Sequence, residues 1–328
     1  MTKSPKVSWV GKALPLLAII TIVPISLHAQ TFISNTPFQV KLKGEGQART
    51  VTSKTKVAIA GYNIASFTEA KVTARSNGLL GGSGARATMA FSQTGITPEI
   101  ISEIATAGYE DLVAQMEAAG LQVVPMDTVK SHPNSGSGGI GTYDRQGSFF
   151  GNDFILRGPR NLGGTGYFAL GAGFYNANSF AKVSSDNDAI LVFNNLTLNF
   201  VDLQSSGNQM LSNRASVGGT PKFILEPYAL SSVTYSRDGR YMDGAYNFRL
   251  ERLVIDEPFA SMENVRNTNN NLGVLVSAAM GVGMASTSRR DNVVAVDPER
   301  FKALALSAAR GYNTALVEKL TAMRGTAP

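Results

Sequence analysis

The sequence predicts an α+β protein with a mixed, largely antiparallel sheet and two long amphipathic helices packed on it. Apolar residues recur at helical spacing over 97–119 and again over 297–320, which predicts the helices. Between 189 and 255, several runs of strand-forming residues are separated by turn signals, which predicts the sheet. We therefore expect a core domain over 56–260 and a C-terminal part over 261–328 that packs on this core or on a partner subunit.

Residues 1–29 are predicted to be a signal peptide. Three lysines form a positive start without acidic residues, 13–27 is an apolar run, and Ala29 is a small residue suited to cleavage. An uncleaved anchor is the alternative, but a membrane helix needs about 20 apolar residues, and Pro15 and Pro24 interrupt this shorter run. We expect an exported protein that is periplasmic or associated with the outer membrane.

The composition of the exported part excludes several kinds of chemistry. The chain has no cysteine and two histidines, of which only His132 lies outside the predicted signal peptide. This excludes disulfides, thiolate nucleophiles, zinc sites with cysteine or several histidines, and histidine-based triads. No basic run interleaved with aromatic residues is present, so nucleic acid is not an expected partner. We expect no cofactor, and we interpret His132 as a solvated loop residue.

The first half of the chain begins with the polar segment 30–55, predicted to be an N-terminal arm or linker. A strand follows over 56–62, which can continue to Phe67, and a short strand over 86–91. The glycine-rich stretch 77–84 between them lacks the Gly-Lys-Ser/Thr ending of a P-loop and does not lead directly into a helix. A loop or hairpin is therefore favoured over a phosphate site.

The first long helix has clear terminal signals. Thr97 is a suitable N-cap, Pro98 suits the first helical position, and Glu99 favours the positive end of the helix dipole. Gly120 provides a stop, and a strand follows over 121–125. The buried face is predicted to consist of Ile101, Ile104, Ala105, Gly108, Leu112 and Met116.

Two apolar segments have open interpretations. The Gly-, Ser- and Asn-rich stretch 130–166 is predicted to form a loop or hairpins, and the aromatic segment 167–175 follows it. The latter suits a core strand, a contact with a partner chain or a strand facing a bilayer, with core or oligomer contact favoured. The run 272–285 is too short for a membrane helix and suits a buried helix or a close-packed strand.

Antiparallel strands are predicted over 189–203, 231–236 and 246–255, with an Asp-Gly turn signal between the last two. A short strand over 293–296 precedes the last helix, and Asp297 is its predicted N-cap. Asn195-Leu-Thr197 matches a glycosylation sequon, but a position inside a strand makes a chance match the favoured interpretation.

An enzyme of this composition would have to use carboxylates, a Ser-Lys pair or tyrosine. A two-carboxylate hydrolase needs both groups in one cleft, which sequence spacing does not establish, so surface charges are the favoured interpretation. The Ser53-Lys54-Thr55-Lys56 stretch lies in the predicted linker. We therefore assign no catalytic, cofactor-binding or metal-binding residue. The acidic residues considered are Asp202, Glu226, Glu251, Asp256 and Glu257.

The order of these elements resembles a known family. The strand at 56–62, the helix ending in Ala119-Gly-Leu-Gln-Val-Val124, the Gly/aromatic segment 164–175 and the strand ending in Phe200-Val-Asp-Leu-Gln-Ser-Ser-Gly207 resemble the periplasmic α/β domain of the curli secretion channel protein and its relatives. In that family these elements form the repeating subunit of a ring in the outer membrane. The resemblance implies an envelope assembly or transport component, although the family's lipid-anchoring cysteine is missing here.

Two hypotheses of function follow. The first is a non-enzymatic envelope protein that self-associates or docks on another envelope protein, motivated by 167–175, 272–285 and the terminal helix. The alternative is a periplasmic ligand- or glycan-binding module, with a carboxylate-type hydrolase as its catalytic version. It predicts a concave pocket that gathers Tyr, Asn and two acidic side chains from different strands.

Overall fold

The computed structural model describes 37–75, 86–135, 145–149, 152–160, 162, 180–206, 216–226, 230–268 and 287–325. Four predicted features lie outside the described residues: the signal peptide 1–29, the glycine-rich stretch 77–84, and the apolar segments 167–175 and 272–285. The helices of the described part are α1 Arg49–Thr52, α2 Pro98–Ala118, α3 Met126–Ser131, α4 Ala181–Asp186 and α5 Pro298–Gly325.

The described strands form one sheet of ten and one sheet of four. They are β1 Leu42–Gly46, β2 Lys56–Phe67, β3 Glu69–Arg75, β4 Arg86–Thr94, β5 Gln122–Val124, β6 Arg145–Phe149, β7 Asn152–Arg157, β8 Ala189–Ser206, β9 Ser216–Leu225, β10 Leu230–Tyr235, β11 Gly244–Leu250, β12 Leu253–Ile255, β13 Ala260–Thr268 and β14 Thr287–Val296.

The larger sheet is built around the parallel pair β2 and β8. The first part of β8 pairs with β10, which leads to β11 and β1, and its second part pairs with β9, which leads to β12. On its other side β2 pairs with β5 in parallel and with β7 in antiparallel orientation. The predicted mixed α+β fold is confirmed. Its antiparallel character is only partial, because β4 and β14 are parallel as well.

The segment predicted as an arm or linker is part of the sheet. Residues Leu42–Gly46 form β1, which pairs with β11 and has Leu42 buried, and Arg49–Thr52 form α1. The predicted strand 246–255 is divided, because β11 ends at Leu250 and β12 begins at Leu253. This break gives the two pieces different partners, β10 for the first and β9 for the second.

Helix α2 follows its sequence signals. The Thr97 side chain accepts a hydrogen bond from the backbone N–H of Ile100 at 3.4 Å, and Gly120 adopts a φ of 77° after the last turn. All six residues of the predicted apolar face are buried. The predicted helix and its buried stripe are therefore confirmed, with the helix between Thr97 and Ala119 as its caps.

Helix α5 packs on the chain's own core. The Asp297 carboxylate accepts hydrogen bonds from the backbone N–H groups of Glu299 at 3.1 Å and Arg300 at 3.2 Å, so the predicted N-cap is confirmed. Phe301 is buried with its ring centroid 5.5 Å from that of Phe223 in β9. The helix also contacts α2. None of the described helices combines the length and apolar character needed to cross a bilayer.

The smaller sheet has the order β13-β14-β4-β3, and the chain enters it directly from β2 of the larger sheet. The chain passes from β2 into β3 at Thr68, whose N–H bonds to the carbonyl of Asp153 at 2.8 Å. Strands β3, β4 and β13 then contact β9. A Cβ atom added at Gly219 of β9 would lie 2.4 Å from Cζ of Phe91 in β4, so the two layers are in close contact. We call this two-layer part, formed by the second half of β8 with β9, β3, β4, β13 and β14, the extension.

The extension contains three antiparallel strand pairs. The β3–β4 pair ends at Arg75 and Arg86, which lie opposite each other. The β8–β9 pair ends at Ser206 and Ser216, which also lie opposite each other. The β13–β14 pair ends at Thr268 and Thr287. In the smaller sheet β4 is parallel to β14, and Arg86 lies opposite Thr287. The β3–β4 and β13–β14 pairs therefore end on the same side of the smaller sheet.

The contact between the two layers predicts a difference between neighbouring glycines. Gly219→Ala should lower the free energy of unfolding by about 1–3 kcal/mol, because its methyl group meets the buried Phe91 ring. Gly218→Ala is the matched control, since a Cβ there meets nothing within 4 Å, and its effect should stay within about 0.5 kcal/mol. Urea unfolding of both variants tests this, and equal stabilities would contradict the described packing.

Candidate functional site

Strands β1 and β11 carry a group of paired charges that we call the charged edge: Lys43 and Glu45 of β1, Arg249 of β11, and Glu251, which follows β11. Lys43 lies opposite Arg249 in the β1–β11 register and forms an ion pair with Glu251 at 2.9 Å. Arg249 forms a second ion pair with Glu45 at 3.3 Å. Both pairs are diagonal across the two strands, a geometry in which side chains of this length reach one another.

The charged edge is open to solvent. Between 42% and 77% of each of the four side chains is exposed, with Lys43 the most exposed. The hydrogen bond from Lys43, and then its charge, hold the pKa of Glu251 below its usual value. These residues line a shallow cleft of about 580 Å³ together with Gly44, Leu250 and Arg252.

Arg252 connects this cleft to two further acidic residues. It lies between β11 and β12, where the break in the strand turns its side chain toward β8 and β9. Its guanidinium donates to Asp202 at 2.7 Å and forms an ion pair with Glu226 at 3.6 Å. Glu226 is 9% exposed and also accepts a hydrogen bond from the amide of Asn199 at 2.8 Å. Partial burial alone would lower the pKa of Arg252, but the hydrogen bond to Asp202 and the two carboxylate charges raise it.

The structure thus brings together two of the five acidic residues considered from the sequence. Asp202 and Glu226 meet at Arg252, whereas Glu251 belongs to the charged edge and Asp256 pairs with Lys222. Because Asp202 and Glu226 both bind one guanidinium, the arrangement is an ion-pair cluster and not two carboxylates facing a shared space. Sequence reasoning did not single out Arg252, whose only signal is its place within a run that resembles one continuous strand.

His132 has a partner that its sequence neighbourhood does not show. Its Nε2 atom lies 3.2 Å from a carboxylate oxygen of Asp186 in α4, and only 15% of its side chain is exposed. The interpretation as a solvated loop residue is therefore corrected. The hydrogen bond from Lys182 lowers the pKa of Asp186, and the contact with His132 adds to this effect. Within the described ranges, no three acidic or histidine side chains are grouped as metal ligands.

The other polar features have structural partners. Ser53 donates to the carbonyl of Thr50 at 2.8 Å and Lys54 forms an ion pair with Asp188 at 3.1 Å, so they do not form a Ser-Lys pair. Asn195 of the sequon is 1% exposed and accepts a hydrogen bond from Asn63 at 2.8 Å. Burial in β8 makes this asparagine inaccessible for glycosylation of the folded protein.

Two buried tyrosines serve as hydrogen-bonding groups between the sheet and the helices. Tyr62 of β2 donates to Asn313 of α5 at 3.3 Å, and the Tyr312 hydroxyl lies 3.0 Å from that of Ser231 in β10. Burial raises the pKa of both phenols far above the usual value. They therefore remain neutral and are unsuited to acid–base chemistry near neutral pH.

The Arg252 cluster gives a testable stability effect. Arg252→Met should lower the free energy of unfolding by about 2 kcal/mol, because the nearly buried Glu226 loses its cation and Asp202 loses a charged hydrogen bond. Arg240→Met is the matched control, since Arg240 is 84% exposed and its contact with Asp238 is long at 3.9 Å. We expect a change below about 0.5 kcal/mol for the control in urea unfolding. Similar losses in both variants would show that the cluster contributes nothing beyond a surface ion pair.

Comparisons with protein-family models, with characterised proteins and with solved structures find no match to this chain.

Proposed function

We propose that this chain is a non-enzymatic exported component of the cell envelope that works by self-association or by docking on another envelope protein. In this role it would belong to an assembly or secretion apparatus. The observation that carries the proposal is the extension, in which two strand pairs of the smaller sheet end side by side and pack on β9.

The packing of the extension suits it for contact with another molecule. Its two layers enclose apolar side chains, among them Phe91, Val201 and Val294, all of which are at most 1% exposed. Such a core makes a rigid support, because closely packed side chains resist rearrangement. A rigid support on which two strand pairs end side by side presents a composite surface to a partner, which is a common use of segments held on a fixed scaffold.

The sequence supports the same role. The predicted signal peptide is typical of an exported protein. The resemblance to the periplasmic domain of the curli secretion channel protein suggests a subunit of an envelope assembly. The apolar run 272–285, which lies between the sequence positions of β13 and β14, adds a segment of the kind that interaction surfaces use.

Light scattering and vesicle flotation test this proposal. The protein expressed from its full sequence should form particles of two or more copies at micromolar concentration, or float with vesicles of phosphatidylethanolamine and phosphatidylglycerol. Particles that contain a single copy, together with no flotation and no envelope protein retained by chemical crosslinking in cells, would contradict the proposal.

A ligand-binding module is the second candidate. It is supported by the convergence of Asp202 and Glu226 at Arg252, with Asn199 bonded to Glu226, next to the cleft of about 580 Å³. If this function is correct, an oligosaccharide from a panel of envelope glycans should raise the melting temperature of the protein, and Arg252→Met should abolish the rise. No change with any member of the panel would argue against this candidate.

A further inference from the structure

We infer that two copies of this chain pair through their β1 strands, antiparallel and related by a two-fold axis at Gly44, so that the two larger sheets become one. The inference deepens the proposed self-association and rests on it. It assigns a particular surface, the free edge of β1, and a particular partner, a second copy.

The backbone of β1 offers a free edge. Among the described strands, β1 has only β11 as a neighbour. Backbone hydrogen bonds from Glu251 to Lys41 at 3.0 Å and from Gln47 to Ala245 at 3.0 Å flank the pair. Because bonding alternates along an antiparallel strand, residues 41, 43, 45 and 47 face β11, and Leu42, Gly44 and Gly46 direct their N–H and C=O groups outward.

The outward groups fit a two-fold register. With Gly44 opposite Gly44 of the partner subunit, these two residues form a hydrogen-bonded pair, and Leu42 lies opposite Gly46 of the partner subunit. The two glycines leave the edge accessible, since neither has a side chain that could cover it. A Cβ atom at Gly44 would lie 2.2 Å from the Tyr246 hydroxyl, so the Tyr246 side chain lies directly against this glycine.

The charges of the edge are self-complementary in this register. Lys43 lies opposite Glu45 of the partner subunit, at a non-hydrogen-bonded position where opposing side chains are closest. The two observed ion pairs then join in one series of alternating charge: Glu251, Lys43, Glu45 of the partner subunit and Arg249 of the partner subunit. The two-fold axis repeats this series once more.

A second copy fits this edge better than an unrelated strand does. Exposed edge strands usually carry charges that prevent pairing, and lysine is the most frequent of them. Here Lys43 and Glu45 are two residues apart with Gly44 between them, so an antiparallel copy places each charge opposite its complement. The same strand in a parallel or shifted register would bring like charges together or leave them unmatched.

Charge reversal tests the pairing without disturbing the core. Lys43→Glu alone and Glu45→Lys alone place like charges opposite each other at two positions, and each should weaken dimerisation about 10- to 30-fold in sedimentation velocity. An equimolar mixture of the two variants should regain the wild-type affinity, because both cross-strand pairs are then attractive. The double variant Lys43→Glu/Glu45→Lys should dimerise as well, whereas failure of both restorations would overturn the inference.

Cysteine pairing tests the register itself, since the natural chain has no cysteine. Lys43→Cys mixed with Glu45→Cys should form a disulfide, because opposing residues at a non-hydrogen-bonded position have Cα atoms about 4.5 Å apart. Lys43→Cys alone should not, since residue 43 of each copy is then a diagonal neighbour at about 7–8 Å. Crosslinking of Lys43→Cys alone as fast as the mixture would overturn the two-fold register.

The outcomes separate this inference from the proposed function. If the Lys43→Glu variant and the Glu45→Lys variant each self-associate as the wild-type protein does, the copies associate through another surface. This result overturns the β1 pairing and leaves the proposed function in place. A wild-type protein that stays monomeric and binds neither vesicles nor an envelope protein would overturn both.

Discussion

Replacing Phe301 with alanine is expected to lower the free energy of unfolding by about 3–5 kcal/mol. Phe301 lies in the first turn of α5 and is fully buried, with its ring 5.5 Å from Phe223 and 6.4 Å from Phe259 (centroid distances). Truncation leaves a cavity at the point where the terminal helix meets β9, and the surrounding rings can close it only in part. Urea unfolding followed by far-UV circular dichroism measures the loss.

The control for this variant is an exposed aromatic residue. Tyr241 is 56% exposed, and Tyr241→Ala should change the stability by less than about 0.5 kcal/mol. If α5 were instead an element that docks on a neighbouring subunit, the loss in Phe301→Ala would depend on protein concentration. A loss below about 1 kcal/mol, or one that disappears on dilution, would show that the helix is not part of this chain's own core.

Replacing Asn313 with alanine is expected to cost about 3 kcal/mol. Its buried amide accepts a hydrogen bond from Tyr62 at 3.3 Å and donates to the carbonyl of Gly108 and to Asp111, both at 2.8 Å. In the alanine variant the Tyr62 hydroxyl stays buried without this acceptor. The Asp111 carboxylate also loses the hydrogen bond that it accepts from the Asn313 amide. The cost exceeds that of one average hydrogen bond because groups left buried without partners retain their desolvation penalty.

Thr314→Ala is the matched control for this network. Thr314 is the next residue of α5, half-buried, and its hydroxyl bonds only to the carbonyl of Arg310 one turn earlier, at 3.0 Å. Its removal should change the stability by less than about 0.5 kcal/mol in the same urea titration. An Asn313→Ala loss as small as that of the control would mean that water or side-chain rearrangement satisfies Tyr62 and Asp111.

The helices could be predicted from the sequence because their signals are local. Thr97, Pro98 and Gly120 mark the ends of α2, and Asp297 with Pro298 marks the start of α5. Caps and periodicity act over a few residues, so they do not depend on the rest of the fold. For the same reason, all six residues predicted to form the buried face of α2 are buried in the structure.

The sheet could be predicted only in outline, because strand pairing is decided by distant residues. β1 is five residues long and contains two glycines, so its composition favours a linker, and only its pairing with β11 some 200 positions later makes it a strand. Likewise, an apolar run does not show whether its partner is parallel, as β8 is to β2. Neither fact is encoded in local periodicity.

The candidate site escaped prediction for a related reason. Arg252 contacts Asp202 and Glu226 for two reasons. The strand paired with β8 changes from β10 to β9 along its length, and Arg252 lies in the two-residue break between β11 and β12. His132 and Asp186 are 54 residues apart in sequence and meet only through the packing of the two short helices near them. The sequence shows which charged side chains lie at strand ends, but which of them converge is a property of the topology.

Sedimentation equilibrium of the wild-type protein over a range of concentrations tests most directly whether this chain works by contact between copies. The account predicts a weight-average mass that rises with concentration toward at least two copies per particle. It also predicts that the mass falls toward one copy in either single charge-reversal variant and recovers when the two variants are mixed. A mass of one copy at every concentration up to about 100 µM, the range in which weak specific dimers are populated, would contradict contact between copies as the way this chain works.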